Sequence, residues 1–402
     1  MSEVATVEEL DTRISCEICG AKCHGIQTHL KDDHADWTLA RYEKEFPGKP
    51  LLSELAKMKL AEHQAAKKAA ANPASSSVST DSKQRAETKF FHEVFGLGMV
   101  PAALSTPSKD GKKKARPIPI TTLINTPESQ PMVPAIDPNY VFNLDVLKSV
   151  MLAAEMGVAA YLWGHAGTGK TSLFEQLFAR TNRPMIRVQH TANMEESHIV
   201  GQWVLREGET VFELGPLPLA MINGWVYLAD EYDFGRPEVL SVYQAVLEGK
   251  ALVIKEADAK NRVIKPHPNF RFVATGNTNG TGDESGLYSG TNIQNAANYE
   301  RFAIVERMPY MEPELEARLV SQQAAIAILD ARKLVDYAGR IRTEFDNGKV
   351  TSPISPRSLI YAGKIGMIRA NYRIGLEKAY INRLSSVDRE TALQFAQRVF
   401  GA

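Results

Sequence analysis

Gly164 and Gly169, followed at once by Lys170 and Thr171, satisfy the spacing G-x-x-x-x-G-K-[ST] within "LWGHAGTGKTSLFEQL". Such a loop is chemically useful when a buried strand precedes it and a helix follows, as the pattern on either side predicts here. Glycines let successive backbone N–H groups turn inward around phosphate oxygens, and the helix N-terminus adds partial positive charge. The expected phosphate-binding set is therefore Gly164, His165, Ala166, Gly167, Thr168, Gly169, Lys170, Thr171 and Ser172. Lys170 would reach the β and γ phosphates of ATP, and the Thr171 hydroxyl would ligate Mg²⁺.

A phosphate loop needs a metal-holding acid and a base, and both are expected at strand tips. "WVYLADE" (225–231) is an apolar run ending in two carboxylates, and a buried strand gains no stability from adjacent acids at its end. Asp230 is the expected Mg²⁺ partner and Glu231 the base that polarises an attacking water. "RFVATGN" (271–277) is a further buried run tipped by an amide, so Asn277 is placed to orient that water or sense the γ phosphate. Arg301 in "NYERFAIVERM" and Arg357 in "SPISPRSLI" are candidates to meet charge developing on the γ phosphate.

A second chemistry stands near the beginning. Cys16, Cys19, His29 and His34 in "CEICGAKCHGIQTHLKDDH" offer four ligands at spacings that can close a tetrahedral Zn²⁺ site, with Cys23 and His24 as spare candidates. All three cysteines lie in this stretch, which argues against a disulfide framework. Lys and Arg between residues 13 and 50 are matched one for one by Asp and Glu, so the attraction to phosphate expected of a DNA-reading finger is missing.

The elements that must position these groups follow from the hydrophobic periodicity. "LDVLKSVMLAAEMG" predicts a helix, "VAAYLWG" a buried strand, "KTSLFEQLFARTN" a helix, "PMIRVQH" and "GWVYLADE" strands, "RPEVLSVYQAVLEG" a helix and "FRFVATGN" a strand. This alternation predicts an α/β core with a largely parallel sheet over 135–311, followed by an all-α region over 312–402. Residues 1–72 are expected to hold the zinc-finger-like module and a helix at 51–72. Residues 73–134, Ser-rich and then Pro- and Lys-rich, are expected to be mostly linker.

Composition agrees with several soluble units. The 402 residues are 44% hydrophobic and 23% charged, and 47 basic residues cancel 47 acidic ones. That balance disfavours nucleic acid as the main partner. No run reaches the roughly 18 apolar residues of a membrane span, and the start lacks a signal-peptide pattern, so a cytoplasmic protein is expected.

Taken together, the phosphate loop, the "ADE" and "TGN" strand tips, "ERF" and "SPRSL" resemble the AAA+ P-loop ATPases of the MoxR and dynein-related branch. That branch carries two added hairpins, which "GQWVLREGETVFELGPLPLAM", with Gly208 at its turn, and 249–272 match. Within the branch, "DEYDFGRPEVLSVYQAVLEG", "NRVIKPHPNFRFVATGNTNGTGDESGLYSGT" and "FGLGMVPA" are similar to the small ATPase subunit of aerobic cobaltochelatase. The resemblance implies an ATP- and Mg²⁺-dependent homo-oligomeric ring, a hexamer in that family. Asn277 and Arg357 become the two sensors, and Arg301 a finger serving the neighbouring subunit. It also implies a von Willebrand A domain partner and a large chelatase subunit that holds the tetrapyrrole. A MoxR-type remodelling chaperone, or a nucleic-acid factor joining a finger to a translocating ring, are the alternatives. The Cys/His segment, with "WTLARYEKEFPG" after it, resembles the prokaryotic zinc finger of the Ros and MucR regulators.

Overall fold

The computed structural model describes residues 13–34, 36–53, 85–98, 104–107, 113–206, 208–283 and 286–401. They fall into two units, divided between residues 83 and 84. The helix expected over 51–72 lies almost entirely outside the described residues.

In the first unit, β1 (Ile14–Ser15) and β2 (Lys22–Cys23) pair antiparallel, followed by α1 (Ile26–Asp33) and α2 (Leu39–Glu45). Thr38 starts α2 by accepting the Arg41 N–H on its hydroxyl, one of the donors a helix start leaves unpaired. The buried apolar core is small, comprising Cys16, Ile26, Leu30 and Tyr42, with Trp37 and Phe46 against it.

The second unit opens with β3 (Arg85–Phe90), α3 (Phe91–Val94), β4 (Leu104–Pro107), β5 (Lys113–Arg116) and β6 (Pro119–Ile124). β3 pairs antiparallel with β6, and β4 with β5. Within 73–134, where mostly linker was expected, the described residues 85–94 and 119–124 thus form paired strands and a short helix, while 73–84, 99–103 and 108–112 lie outside the described residues. Phe91, Phe95 and Ile120 are buried in one core cluster with Phe142, Val146 and Leu147. The apolar island around "FFHEVFGLGMVPAAL", which stands out between the Ser-rich and the Pro- and Lys-rich stretches, supplies Phe91 and Phe95, whose burial holds this segment to the core.

Next come α4 (Leu144–Met156), β7 (Ala160–Trp163), α5 (Lys170–Arg180) and β8 (Met185–Gln189). α4 begins at Asn143, whose side chain accepts the Val146 N–H, and ends at Gly157 in the left-handed conformation. The helix α6 (Ser197–Val200) is then interrupted by the hairpin β9 (Gly201–Arg206) and β10 (Glu209–Leu214), turning at Gly208, before α7 (Pro216–Asn223) resumes. β11 (Val226–Asp230) leads to α8 (Pro237–Leu240) and α9 (Gln244–Leu247), with a 3₁₀ turn between them, in place of the single helix expected there. A small pair, β12 (Leu252–Val253) and β13 (Val263–Ile264), forms the second expected hairpin and precedes β14 (Arg271–Gly276). α10 (Ala296–Tyr299) and β15 (Ile304–Arg307) close the α/β part.

The central sheet is parallel in the order β15-β7-β14-β11-β8. β15 is an edge strand that the sequence pattern did not single out; its residues alternate between half-buried and exposed. One core cluster includes Phe174, Phe178, Leu162 and Leu228, and a second includes Tyr227, Tyr243, Phe272 and Phe302. Side chains alternate across a strand, so adjacent Tyr227 and Leu228 enter different clusters.

The remaining helices α11 (Pro313–Ala324), α12 (Ile328–Asp346), α13 (Pro356–Ile368), α14 (Tyr372–Ala379) and α15 (Ser386–Phe400) have their own core around Leu334, Tyr337, Leu359 and Leu376. Buried Glu316 is matched by two 2.7 Å hydrogen bonds from the Arg342 guanidinium, the pairing a buried charge requires.

Candidate functional site

Parallel register brings the chemistry together. Gly276 at the end of β14 pairs with Trp163 at the end of β7, and the Gly164 N–H donates to the Gly276 carbonyl at 3.2 Å. The phosphate loop, Asp230 and Asn277 therefore leave the same edge of the sheet, where open α/β folds place ligands. The loop bends through positive φ at Gly164, Gly167 and Gly169. At Gly164 a Cβ would meet the Met308 carbonyl oxygen at 2.5 Å, and at Gly167 it would meet Ser355 at 2.8 Å. Glycine is required there by contact as well as by conformation.

Lys170 is the first residue of α5 and is buried. Its ammonium donates to the Gly164 carbonyl at 2.7 Å, the His165 carbonyl at 3.0 Å and Asn277 Oδ1 at 3.0 Å. Burial pushes its pKa down to about 8, opposed by the carboxylates of Asp233, Asp230 and Glu231. Three neutral oxygens satisfy the ammonium's donors but supply no countercharge, so an incoming polyanion gains by pairing with it.

Thr171 donates its hydroxyl to Asp230 Oδ1 at 2.7 Å, so two oxygen donors suited to Mg²⁺ lie side by side. Buried Asp230 is held on its other oxygen by Arg187, at 2.8 Å from Nε, and also takes the Thr275 hydroxyl. Glu231 has φ 53° and ψ 42°, a left-handed conformation that costs a non-glycine residue energy. Its N–H reaches Thr275 Oγ1 at 3.2 Å, and its carboxylate accepts the Gln189 amide at 2.8 Å. The bend turns the Glu231 side chain out of the strand's alternation, away from the buried run 226–230.

The helical region completes the walls. Arg357, near the start of α13, lines two clefts beside the loop. The first, of ≈ 320 Å³, is bounded by His165, Gly167, Tyr288, Tyr310 and Arg357, with Arg383 also at its wall. The second, of ≈ 240 Å³, is bounded by Thr168, Gly169, Ser172, Tyr140, Met311, Leu319 and Ile360. The Tyr140 hydroxyl is buried without a hydrogen-bond partner, an orphan that a polar ligand atom could satisfy. Cationic walls beside the loop and a second, partly apolar slot that holds the Tyr140 hydroxyl fit a nucleotide with its phosphates on the loop.

Arg301 lines neither cleft. Its Nε donates to Glu248 at 2.6 Å, and its guanidinium also reaches the Ala297 carbonyl. Asp233, Thr275, Arg187, Tyr288, Tyr140 and Arg383 went unread in the sequence. Asp233 was legible as a third acid beside the pair; it is fully buried, and its Oδ2 accepts N–H groups of Asn277 and Thr278 at 2.8 Å each, tying β11 to the turn after β14. Burial raises its pKa. The others carry no local signal, because each reaches the site from a separate element.

Comparison with known proteins agrees with this geometry. Residues 160–291 match the AAA domain of the dynein-related subfamily, and residues 316–394 match the CbbQ/NirQ/NorQ C-terminal family. The aerobic cobaltochelatase subunit CobS of a Sinorhizobium species is 32% identical over 280 residues, which are 67% of this chain and 83% of that protein. The chain belongs to the dynein-related AAA+ ATPases. Protein CbbQ of Hydrogenophilus thermoluteolus is 28% identical over 51% of this chain and 72% of its own length. Protein NorQ of Paracoccus denitrificans is 25% identical over 62% and 89%. This AAA+ protein is thus a MoxR-like ATPase of the CobS, CbbQ and NorQ type. Among the described residues no helix is long and apolar enough to cross a membrane.

In the first unit, ligand atoms of Cys16, Cys19, His29 and His34 all lie within 4.8 Å of one another. Cys19 Sγ is 3.1 Å from His29 Nε2, and His29 Nδ1 faces Asp33 at 2.8 Å, an outer carboxylate that orients the ring. His34 Nε2 is buried without a partner, as expected of a nitrogen reserved for a metal. His24 instead hydrogen-bonds Ser53 at 3.0 Å, and Cys23 stands outside the cluster.

Proposed function

We propose that this AAA+ ATPase is the motor subunit of a cobaltochelatase-like complex, using ATP hydrolysis to remodel a partner that inserts metal. The observation that carries the proposal is 32% identity across 83% of CobS, over a core whose strand tips converge on one phosphate loop. In this reading the loop N–H groups and Lys170 hold the phosphates, and the apolar slot beside Tyr140 receives the base. Thr171 and Asp230 hold Mg²⁺, which neutralises phosphate charge. Glu231 takes a proton from water as its oxygen bonds to the γ phosphorus and the bond to the ADP oxygen breaks. Asn277 aligns that water, and Arg357 follows the phosphates from the helical side. Arg301 exchanges Glu248 for the γ phosphate of an adjacent subunit, so the active form is a homo-oligomeric ring, a hexamer by analogy. The four Cys/His ligands of the first unit hold Zn²⁺. A von Willebrand A domain protein and a large chelatase subunit are the expected partners. A MoxR-type chaperone acting on a von Willebrand A protein outside metal insertion is the second reading, favoured by the CbbQ/NirQ/NorQ match at 316–394.

The test is capture on full-length Glu231→Gln protein loaded with Mg²⁺ and ATP, which should bind without turnover. Recovery of a large tetrapyrrole-binding subunit supports the chelatase reading. Recovery of a von Willebrand A protein alone supports the second. Mixing Arg301→Ala with Glu231→Gln chains should restore hydrolysis through subunit pairs whose shared site is intact; absence of any rescue refutes Arg301 as a trans residue.

A further inference from the structure

Beyond Asn277, the segment following β14 reaches back to the phosphate loop through the Tyr288 side chain. The Ala166 N–H donates to the Tyr288 hydroxyl oxygen at 3.1 Å, and that hydroxyl is 2.9 Å from His165 Nδ1. Both partners belong to the loop, and Tyr288 lines the same cleft as Gly167 and Arg357. Position along the loop tells which phosphate it faces. The Lys170 ammonium, which in this motif serves the β and γ phosphates, rests on the carbonyls of Gly164 and His165 and on Asn277. Thr168, Gly169 and Ser172 instead border the cleft that holds Tyr140. Tyr288 therefore meets the loop at its terminal-phosphate end.

Its anchorage suits a positioned group. The Tyr288 N–H donates to Asp283 Oδ2 at 2.6 Å, the Asn292 N–H donates to the Asp233 carbonyl at 2.7 Å, and the Gln294 N–H donates to the Gly280 carbonyl at 2.8 Å. The segment is thus tied to the residue two positions after Glu231. Burial, with Arg307 and Lys170 nearby, holds the His165 pKa down, which favours the neutral ring, whose Nδ1 can accept a hydrogen bond from the tyrosine hydroxyl. Burial also raises the Tyr288 pKa, which keeps the hydroxyl protonated.

We propose that Tyr288 is a specificity-determining residue that distinguishes a nucleoside triphosphate from a diphosphate. The Tyr288 O–H turns its hydrogen bond from the neutral acceptor His165 Nδ1 to a charged γ-phosphate oxygen and keeps its proton, while the Ala166 N–H continues to hold the hydroxyl oxygen. A hydrogen bond to an ionised acceptor is about twice as strong as a neutral one, so the exchange favours ATP. A diphosphate offers no such oxygen and leaves the His165 contact in place. This rests on the reading of residues 164–171 as the nucleotide site.

The experiment compares full-length wild type and Tyr288→Phe, with affinities for ADP and a non-hydrolysable ATP analogue measured by calorimetry with Mg²⁺. Phenylalanine keeps the ring and removes only the hydroxyl. Expected is a roughly tenfold loss for the triphosphate with ADP affinity held within about twofold, at unchanged melting temperature. Equal losses for both nucleotides, or no loss for either, overturn the proposal. Failure of wild type to bind either nucleotide refutes the site reading itself, and this inference with it.

Discussion

The two units hold their candidate ligands on opposite scales. In the first, four candidate metal-ligating side chains come from residues 16 to 34, and among the described residues the apolar core has four buried members. In the second, the site draws on β7, β8, β11, β14 and the helical region, the strands backed by two shared apolar clusters and the helices by a third. A ligand set that is local in sequence can be assembled by the ion itself. A dispersed set must be held by a fold that is stable before the ligand arrives. The finger's stability is therefore expected to be mostly metal-binding free energy, and the ATPase site's to be mostly burial.

Chelation gives the largest expected effect and the most direct way to break this contrast. Stripping Zn²⁺ or introducing Cys16→Ser should abolish hydrogen-exchange protection in α1 and α2, while protection in α4 and α5 persists. Retained protection in α1 without metal would show that four buried side chains suffice. Next in size, Phe174→Ala, at a fully buried position in the ATPase core, should cost about 3–5 kcal/mol in denaturant unfolding. A loss under 1 kcal/mol would mean that the core collapses around the cavity, weakening the claim that the site is held by rigid packing. Lys170→Ala should remove measurable ATP binding while keeping the fold, because it deletes the buried cation without touching either sheet core. Loss of both would make Lys170 a structural residue.

The smallest expected effect is a pH dependence. The Lys170 pKa in the nucleotide-free protein is depressed to about 8, below the ordinary lysine value of 10.5. Between those values the unfolded chain binds the proton that the folded one has released, so this group's contribution to stability rises with pH. ATP affinity should move the opposite way, falling as pH passes above about 8 because the neutral amine cannot pair with phosphate. Affinity that stays level to pH 9.5, measured by calorimetry, would show that Lys170 is not the titrating partner.

Legibility followed the same division. The Cys/His ligands and residues 164–171 were readable because their chemistry is encoded by spacing along a short stretch. Asp230, Glu231 and Asn277 were readable because polar groups ending buried apolar runs have few structural uses. Ile120 was hidden in a segment whose composition suggested linker, and the expected helix over 236–249 was broken into short pieces. Tyr288 and Arg383 had no sequence mark at all, since a tyrosine or arginine in a polar stretch is ordinary until the chain returns it to the site.

The sequence by itself pointed to the candidate phosphate loop, the acids at the strand tips, the α/β alternation and the Cys/His cluster that could hold a metal. Each is a local constraint of backbone conformation, alternation or ligand spacing. Tertiary structure alone decided that Thr171, Asp230 and Thr275 share one hydrogen-bond cluster, that Arg357 stands over the loop while Arg301 rests on Glu248, and that Tyr288 closes on His165. Those pairings depend on strand order and on the packing of the helical region, where residues 45 to 123 positions apart hydrogen-bond because burying their elements' apolar faces leaves one compact arrangement.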